Sequence, residues 1–453
     1  MLELSLDEVV KAVDGELLKS PKEYTVKKVS TDTRKIEKDT LFVALKGAKF
    51  NGNIYVKEAC VKGANLCIVD ELLFDLKEIG DDSGIIIVKD TRKALMNLAK
   101  FYREKLGLKV IGITGSVGKT STKDLLAALL SSKYKVFKTK GNFNNDIGLP
   151  LMVLELDKSY DIAILEMGMS ALGEIETLVD IARPDMAVIS NIGICHIEHL
   201  KTRENILKAK MEITTFFNEN NVLAINGDDD MLSKVSSNKF KVIKAGMNEE
   251  FDIYAKDVVV NQLSSDFTAV TPEGSIRLHL DMPGLHNVQN IMPDIAIARE
   301  LGVTLEEMKD GLNNLEATSM RFEIIDMKDY KVIDDSYNSS PIACRTSTDI
   351  MMNLPGKRKI CVFGTMKQLG DESEKEHRGI GEYAKERGID LMLCCGDFSE
   401  NIAEGFGDRC KVYKDKLSLI QDLKSIIEKD DLILVKASRG MHFEDIVKEI
   451  CSK

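Results

Sequence analysis

The chain has 453 residues, 44% of them apolar and 30% charged, with a net charge of −11 at pH 7. At roughly 100 to 200 residues per domain, that is material for two to four domains. The acidic balance argues against a dedicated nucleic-acid binder, which carries a basic face, but leaves room for an anion held by a local cluster of Lys and backbone amides. Met1 to Leu17 carries Glu3, Asp7, Glu8, Asp14 and Glu16. With no basic stretch leading into an apolar core, no signal peptide is expected, and no apolar run reaches bilayer length. The nine Cys are scattered, with no C-x-x-C pair, which fits reduced thiols and a cytoplasmic location.

In chain order, short apolar runs at Leu41 to Leu45 and Ile85 to Val88 alternate with turn residues, and Lys93 to Lys105 has helical spacing before Gly107. Residues 1–100 therefore read as a small α/β domain. A second block, 101–317, opens with Val110 to Ile113 and continues with strand candidates at Asp161 to Leu165, Met186 to Ser190 and Val222 to Asn226, separated by helical patterns. That alternation predicts a parallel sheet with crossover helices. Residues 251–281 switch to polar-apolar alternation, the signature of an antiparallel hairpin region. A third block, 318–453, has strands at Lys331 to Asp334, Lys359 to Phe363, Asp390 to Cys395 and Asp431 to Val435, and reads as a second doubly wound α/β domain.

The strand Val110 to Ile113 runs into Thr114-Gly115-Ser116-Val117-Gly118-Lys119-Thr120-Ser121, and a helix follows. Glycines let backbone amides approach phosphate oxygens. The helix N-terminus adds partial positive charge. Lys119 is placed for the β/γ-phosphates and the Thr120 hydroxyl for Mg²⁺. The general phosphate-loop pattern puts its first glycine where Ile113 stands; here Gly112 precedes it by one position. Such a loop predicts ATP binding and says nothing of the reaction. Glu166, at the end of a strand beside the loop, stands where a Mg²⁺ ligand belongs. Further along, His196 and His199, the lysines 201, 208 and 210, and the His286-Asn287 turn each have an ordinary structural reading as well as a functional one.

The loop form T-G-S-x-G-K-T followed by Gly141-Asn142-Phe143-Asn144-Asn145-Asp146-Ile147-Gly148-Leu149-Pro150 resembles the Mur ligase family, and the motif order matches through all three blocks. The resemblance implies an N-terminal UDP-binding α/β domain, a central P-loop ATPase domain with a parallel sheet, and a C-terminal Rossmann-like α/β domain that receives the incoming amine. It implies ATP held by Gly115 to Ser121, with Asn290 at the base, Arg321 at the phosphates and Asp335 at the ribose and cleft. It implies Mg²⁺ held by Thr120 and Glu166 at one site, and by His196 and a carbamylated Lys210 at another. Lys119, Lys210, His196 and Asp335 would carry the chemistry. Thr31, Thr33, Arg34 and Lys46 would contact the UDP end, and Asn142, Asn144, Asn145, Tyr337, Asn338, Lys436 and Arg439 other parts of the substrates.

Within the family the motifs resemble the branch that joins D-alanyl-D-alanine to UDP-N-acetylmuramoyl-tripeptide, which implies ATP-dependent amide ligation in peptidoglycan precursor synthesis by a monomer without nucleic-acid or membrane partners. The family commonly has Ser at Thr33, Asp-Gly-His at Asn51-Gly52-Asn53, Gly at Met320, Asn at Ser340, Asp at Thr365, Glu at Gln368 and Gly at Ala437. The last four lie where the dipeptide should enter, so a different amine is one alternative. A non-catalytic nucleotide-binding regulator and a kinase that stops at a phosphorylated product are the others. Retention of Lys119, Glu166, His196 and Lys210 together argues against the regulator.

Overall fold

The computed structural model describes residues 3–48, 50–316 and 318–452. The expected domain limits at Met1, Ala317 and Lys453 lie outside the described residues. Three sheets organise the chain. The first holds β1 (Glu16–Lys19), β2 (Lys28–Ser30), β3 (Thr40–Val43), β4 (Ala64–Val69) and β5 (Gly84–Ile87), in the order β1-β5-β4-β3-β2, parallel except for the β1/β5 pair.

The second sheet holds β6 (Lys109–Thr114), β7 (Val136–Lys138), β8 (Ile162–Glu166), β9 (Met186–Ile189), β10 (Val222–Asn226), β11 (Lys241–Gly246), β12 (Ile253–Val260), β13 (Ser265–Thr271) and β14 (Gly274–Leu280). Its order is β14-β13-β12-β11-β10-β9-β6-β8-β7. β12, β13 and β14 pair antiparallel, as their alternation predicts. β6 lies between β8 and β9, and its residues Val110 to Thr114 are buried. A strand covered on both faces must be a continuous apolar run, which is why Val110 to Ile113 shows no alternation.

The third sheet holds β15 (Glu323–Asp326), β16 (Lys331–Asp334), β17 (Arg358–Gly364), β18 (Leu391–Cys395), β19 (Cys410–Tyr413) and β20 (Asp431–Lys436), in the order β15-β16-β20-β17-β18-β19, parallel except for β15. The strand order reverses between β20 and β17, and ligands of open α/β sheets bind at such a switch point.

Helix Thr91–Leu106 starts at Asp90, whose side chain accepts from the backbone of Arg92 and Lys93, and ends at Gly107 with φ 68°. Its buried Ala94, Leu95, Leu98, Ala99 and Tyr102 recur at helical spacing. This helix runs through residue 100 and shares one core with the first and central sheets. Among the described residues no helix is long and apolar enough to cross a membrane.

Candidate functional site

The phosphate loop links β6 to helix Lys119–Leu130, with Gly118 as N-cap at φ 82°. A side chain at Gly118 would also meet the Asn290 amide at 2.8 Å, so glycine is required there twice over. The first-turn amides of this helix have no intrahelical acceptors. The amides of Ser116 and Val117, expected to point at phosphate, are tied instead to Asn191, through its carbonyl at 3.0 Å and its Oδ1 at 3.0 Å. Asn191 Nδ2 and Ser190 Oγ both donate to the Val117 carbonyl. The sequence marks Ser190 and Asn191 only as the end of β9, yet they hold the loop in shape from the neighbouring strand.

Lys119 Nζ donates to the Gly115 carbonyl at 2.9 Å, bent back over the loop. Thr120 Oγ1 donates to Glu166 Oε2 at 2.9 Å, and Asn144 Nδ2 to Glu166 Oε1 at 2.8 Å. Both Thr120 and Glu166 are 2% exposed. Asn144, expected at the substrate, is thus the group that orients Glu166, and it also takes its place beside Asn142. Asn145 Oδ1 accepts from the amides of Ile147 and Gly148, just before the next helix. A hydroxyl and a carboxylate at the phosphate loop suit a hard, oxygen-seeking cation.

Close to Lys119 lie two further nitrogen bases, His196 and Lys210, both of which feel its charge. Lys210 is 2% exposed, and among the described residues nothing hydrogen-bonds or ion-pairs with its amine. Burial, and then the charge of Lys119, push its pKa well below the usual lysine value. Burial likewise lowers His196 to about 4, with the charges of Lys119 and Lys210 adding to the effect. His196 is therefore neutral at pH 7, and its Nδ1 is buried without a hydrogen-bond partner. A buried amine with a depressed pKa is more nucleophilic than an ordinary lysine at neutral pH. His199 stands exposed on the same turn. Among the described residues no three His, Cys, Asp or Glu side chains form a ready-made metal cage.

From the third domain, Asp335 forms a buried pair with Lys436 Nζ at 2.6 Å and accepts from Ser347 Oγ at 2.5 Å. Lys436, expected to face an anionic substrate, is instead committed to Asp335 and to the Asn338 carbonyl at 2.9 Å. A lysine 3% exposed needs such partners. Arg321 stacks over the Tyr337 ring at 4.1 Å and Arg439 lies 5.5 Å from the same ring; Arg439 also pairs with Glu444. The Arg321 Nε and the Tyr337 hydroxyl are buried without partners. Met320, where the family has Gly, adopts φ 60°, a conformation glycine reaches without strain. Ser340 caps helix Pro341–Met352, and Thr365 Oγ1 donates to the Asp397 carbonyl, so both departures have local packing roles. His377 is buried and structural, accepting the Met366 amide on Nε2 at 2.8 Å.

The expected UDP contacts lie apart from this cluster, on the first sheet's loops. Arg34 is paired with Asp32 and Lys46 with Glu71. Both cations remain largely exposed. Thr31 and Thr33 sit in the same half-buried turn.

Three sheets, with a phosphate loop opening a helix of the central one, fit an ATP-dependent ligase architecture, and the comparisons agree. The description "Mur ligase middle domain" matches residues 113–298, and "Mur ligase, glutamate ligase domain" matches residues 320–439. The chain belongs to the Mur ligase family. It is 39% identical to the UDP-N-acetylmuramoyl-tripeptide–D-alanyl-D-alanine ligase of Bacillus subtilis (strain 168), and 36% identical to that of Escherichia coli (strain K12), each over 99% of both chains. Among solved structures it is similar to MurF from Acinetobacter baumannii, with a TM-score of 0.89 and 30% identity over 99% of both chains. It is also similar to MurF ligase from Thermotoga maritima in complex with ADP, with a TM-score of 0.80 and 32% identity over 95% of this chain and 98% of that one.

Proposed function

We propose that this protein is an ATP-dependent amide ligase that joins D-alanyl-D-alanine to UDP-N-acetylmuramoyl-tripeptide, as the names of its full-length relatives describe. The observation that carries the reading is the convergence of Lys119, Thr120 and Glu166 with His196 and Lys210 on one wall of the cleft. We assign residues 1–100 to the UDP end of the precursor, 101–317 to the nucleotide and 318–453 to the dipeptide.

Gly115 to Ser121 bind the phosphates of ATP, and Asn290, packed on Gly118, fixes the loop beneath the nucleotide. Thr120 and Glu166 would hold one Mg²⁺, and His196 with carbamylated Lys210 a second. When bound, these cations neutralise charge that spreads over the transferring phosphoryl group. Lys119 does the same from the loop. The tripeptide carboxylate attacks the γ-phosphorus and ADP leaves. The dipeptide amine then attacks the acyl carbon, loses a proton and expels phosphate. The protein's part is positioning and the exclusion of water from the acyl phosphate. Asp335, Ser347 and Lys436 form a rigid buried unit on which Tyr337 and Asn338 are presented to the cleft. ADP release measured with UDP-muramoyl-tripeptide should require D-alanyl-D-alanine, and a panel of amines should rank that dipeptide first. Release that ignores the dipeptide would sink the assignment.

A further inference from the structure

Asp124 lies on the phosphate-loop helix Lys119–Leu130, one turn beyond Thr120, and is 2% exposed. Residues four apart share one face of a helix. Thr120 on that face reaches Glu166, and Asp124 reaches the segment that joins helix Leu305–Leu312 to β15. Its Oδ2 accepts from the Thr318 amide at 3.0 Å and from the Thr318 hydroxyl at 2.7 Å. Its Oδ1 accepts from Lys138 Nζ at 2.9 Å, and Lys138 also donates to the Glu316 carbonyl at 3.1 Å. The neighbouring Lys123, buried as well, donates to the Thr139 carbonyl at 2.9 Å, and the Thr139 hydroxyl accepts from the Glu166 amide at 2.9 Å. One helical turn thus holds both the end of β8 and the start of the third domain. Just past Thr318 the backbone is strained: Met320 and Phe322 have φ 60° and 56°. Residues other than glycine keep such angles only where their surroundings over-determine them. Arg321 stands between the two. Downstream, the Tyr337 amide donates to the Met320 carbonyl at 3.3 Å and the Tyr337 ring carries the Arg321 guanidinium. Upstream, the turn is held through Thr318 by Asp124.

We propose that Asp124 is a positioning residue for ligation: it fixes the upstream end of a strained turn and so aims Arg321 at the nucleotide held by the same helix. The phosphate loop and the turn are then registered on one rigid element, and a site that works by placement depends on such support. A carboxylate suits the task because it has two acceptor oxygens. One serves the lysines and the other serves Thr318. This rests on the reading of Arg321 as a contact to the ATP phosphates.

The test uses Asp124→Asn, which keeps the shape of the side chain. The lysines keep the amide oxygen, and the NH₂ group then faces the Thr318 amide, donor against donor. The rate of amide formation, kcat, should fall about 10-fold or more, about 100-fold being the cost of a misplacement of about 1 Å. ADP affinity, measured calorimetrically with Mg²⁺, should stay close to the parent's, because the loop itself is untouched. Thr318→Val removes only the hydroxyl donor and should lose less, and Thr318→Ser should keep the parent rate. These two leave the buried lysines paired, so they decide the matter if Asp124→Asn does not fold. A parent-like kcat in Asp124→Asn, or in Thr318→Val where Asp124→Asn does not fold, would overturn the proposal. An equal loss of ADP affinity and kcat would overturn it too, because that marks a disturbed helix and not a misaimed turn. Arg321→Met tests the underlying reading separately. Full activity there would remove that reading, whereas a loss there beside a parent-like Asp124→Asn would remove the positioning role alone.

Discussion

Asp294 lies in the middle of helix Leu285–Glu300, one turn beyond Asn290, and is 0% exposed. Both its carboxyl oxygens lack a hydrogen-bond partner, and burial raises its pKa well above the ordinary 3.8. The native chain therefore holds a proton there that the unfolded chain releases above pH 3.8. Through that window the unfolded state binds fewer protons, so stability falls as pH rises, by about 1.4 kcal/mol per pH unit, until the raised native value is passed. Asp294→Asn replaces the protonated acid with a neutral isostere that has no such proton to lose. The variant and parent should be nearly equal near pH 4. The variant's advantage should then grow by about 1.4 kcal/mol per unit, read by urea unfolding at pH 5, 6 and 7 on the transition of the central domain. An advantage that does not change with pH would mean that Asp294 is ionised and partnered in the native state, and would refute the reasoning.

Lys436→Met should destabilise the third domain by about 3–5 kcal/mol, because Asp335 would keep a buried charge without its partner. Adding Asp335→Asn should recover much of the loss, checked by urea unfolding of the single and double variants. Thr120→Val removes the donor to Glu166 and, on the proposed reading, a cation ligand, and should raise the Mg²⁺ concentration for half-maximal activity about 10-fold or more, checked by titrating Mg²⁺ at saturating ATP. CO₂-free buffer should lower parent activity and bicarbonate should restore it, whereas Lys210→Met should be inactive in both. Because the Lys210 amine is deprotonated more readily than an ordinary lysine, restoration should already operate near neutral pH.

The nucleotide half of the site was legible because it is local. A strand, a glycine-rich turn and a helix at residues 110–122 impose their geometry on adjacent residues. Glu166 could be placed from its position at the end of β8. Contacts between distant segments were not legible in the same way. Asn191 takes the Ser116 and Val117 amides from a strand about seventy residues on, and nothing in its local sequence distinguishes it from a strand-end turn. Lys436 looked like a free cation because its partner Asp335 is a hundred residues earlier. Asn144 and Asn145 are adjacent in sequence, yet one reaches Glu166 and the other takes the amides of Ile147 and Gly148, a difference set by which way each side chain leaves the loop. The short strands β15 and β19 at the edges of the third sheet carry half-buried or exposed residues with little apolar pattern.

The most direct measurement follows oxygen rather than product. With ¹⁸O in the terminal carboxylate of UDP-N-acetylmuramoyl-tripeptide, and ATP, Mg²⁺ and D-alanyl-D-alanine supplied, ligation through an acyl phosphate transfers one ¹⁸O into each phosphate released as amide forms. Mass spectrometry should find singly labelled phosphate in step with the amide product. Unlabelled phosphate, or labelled phosphate without amide, would contradict the mechanism.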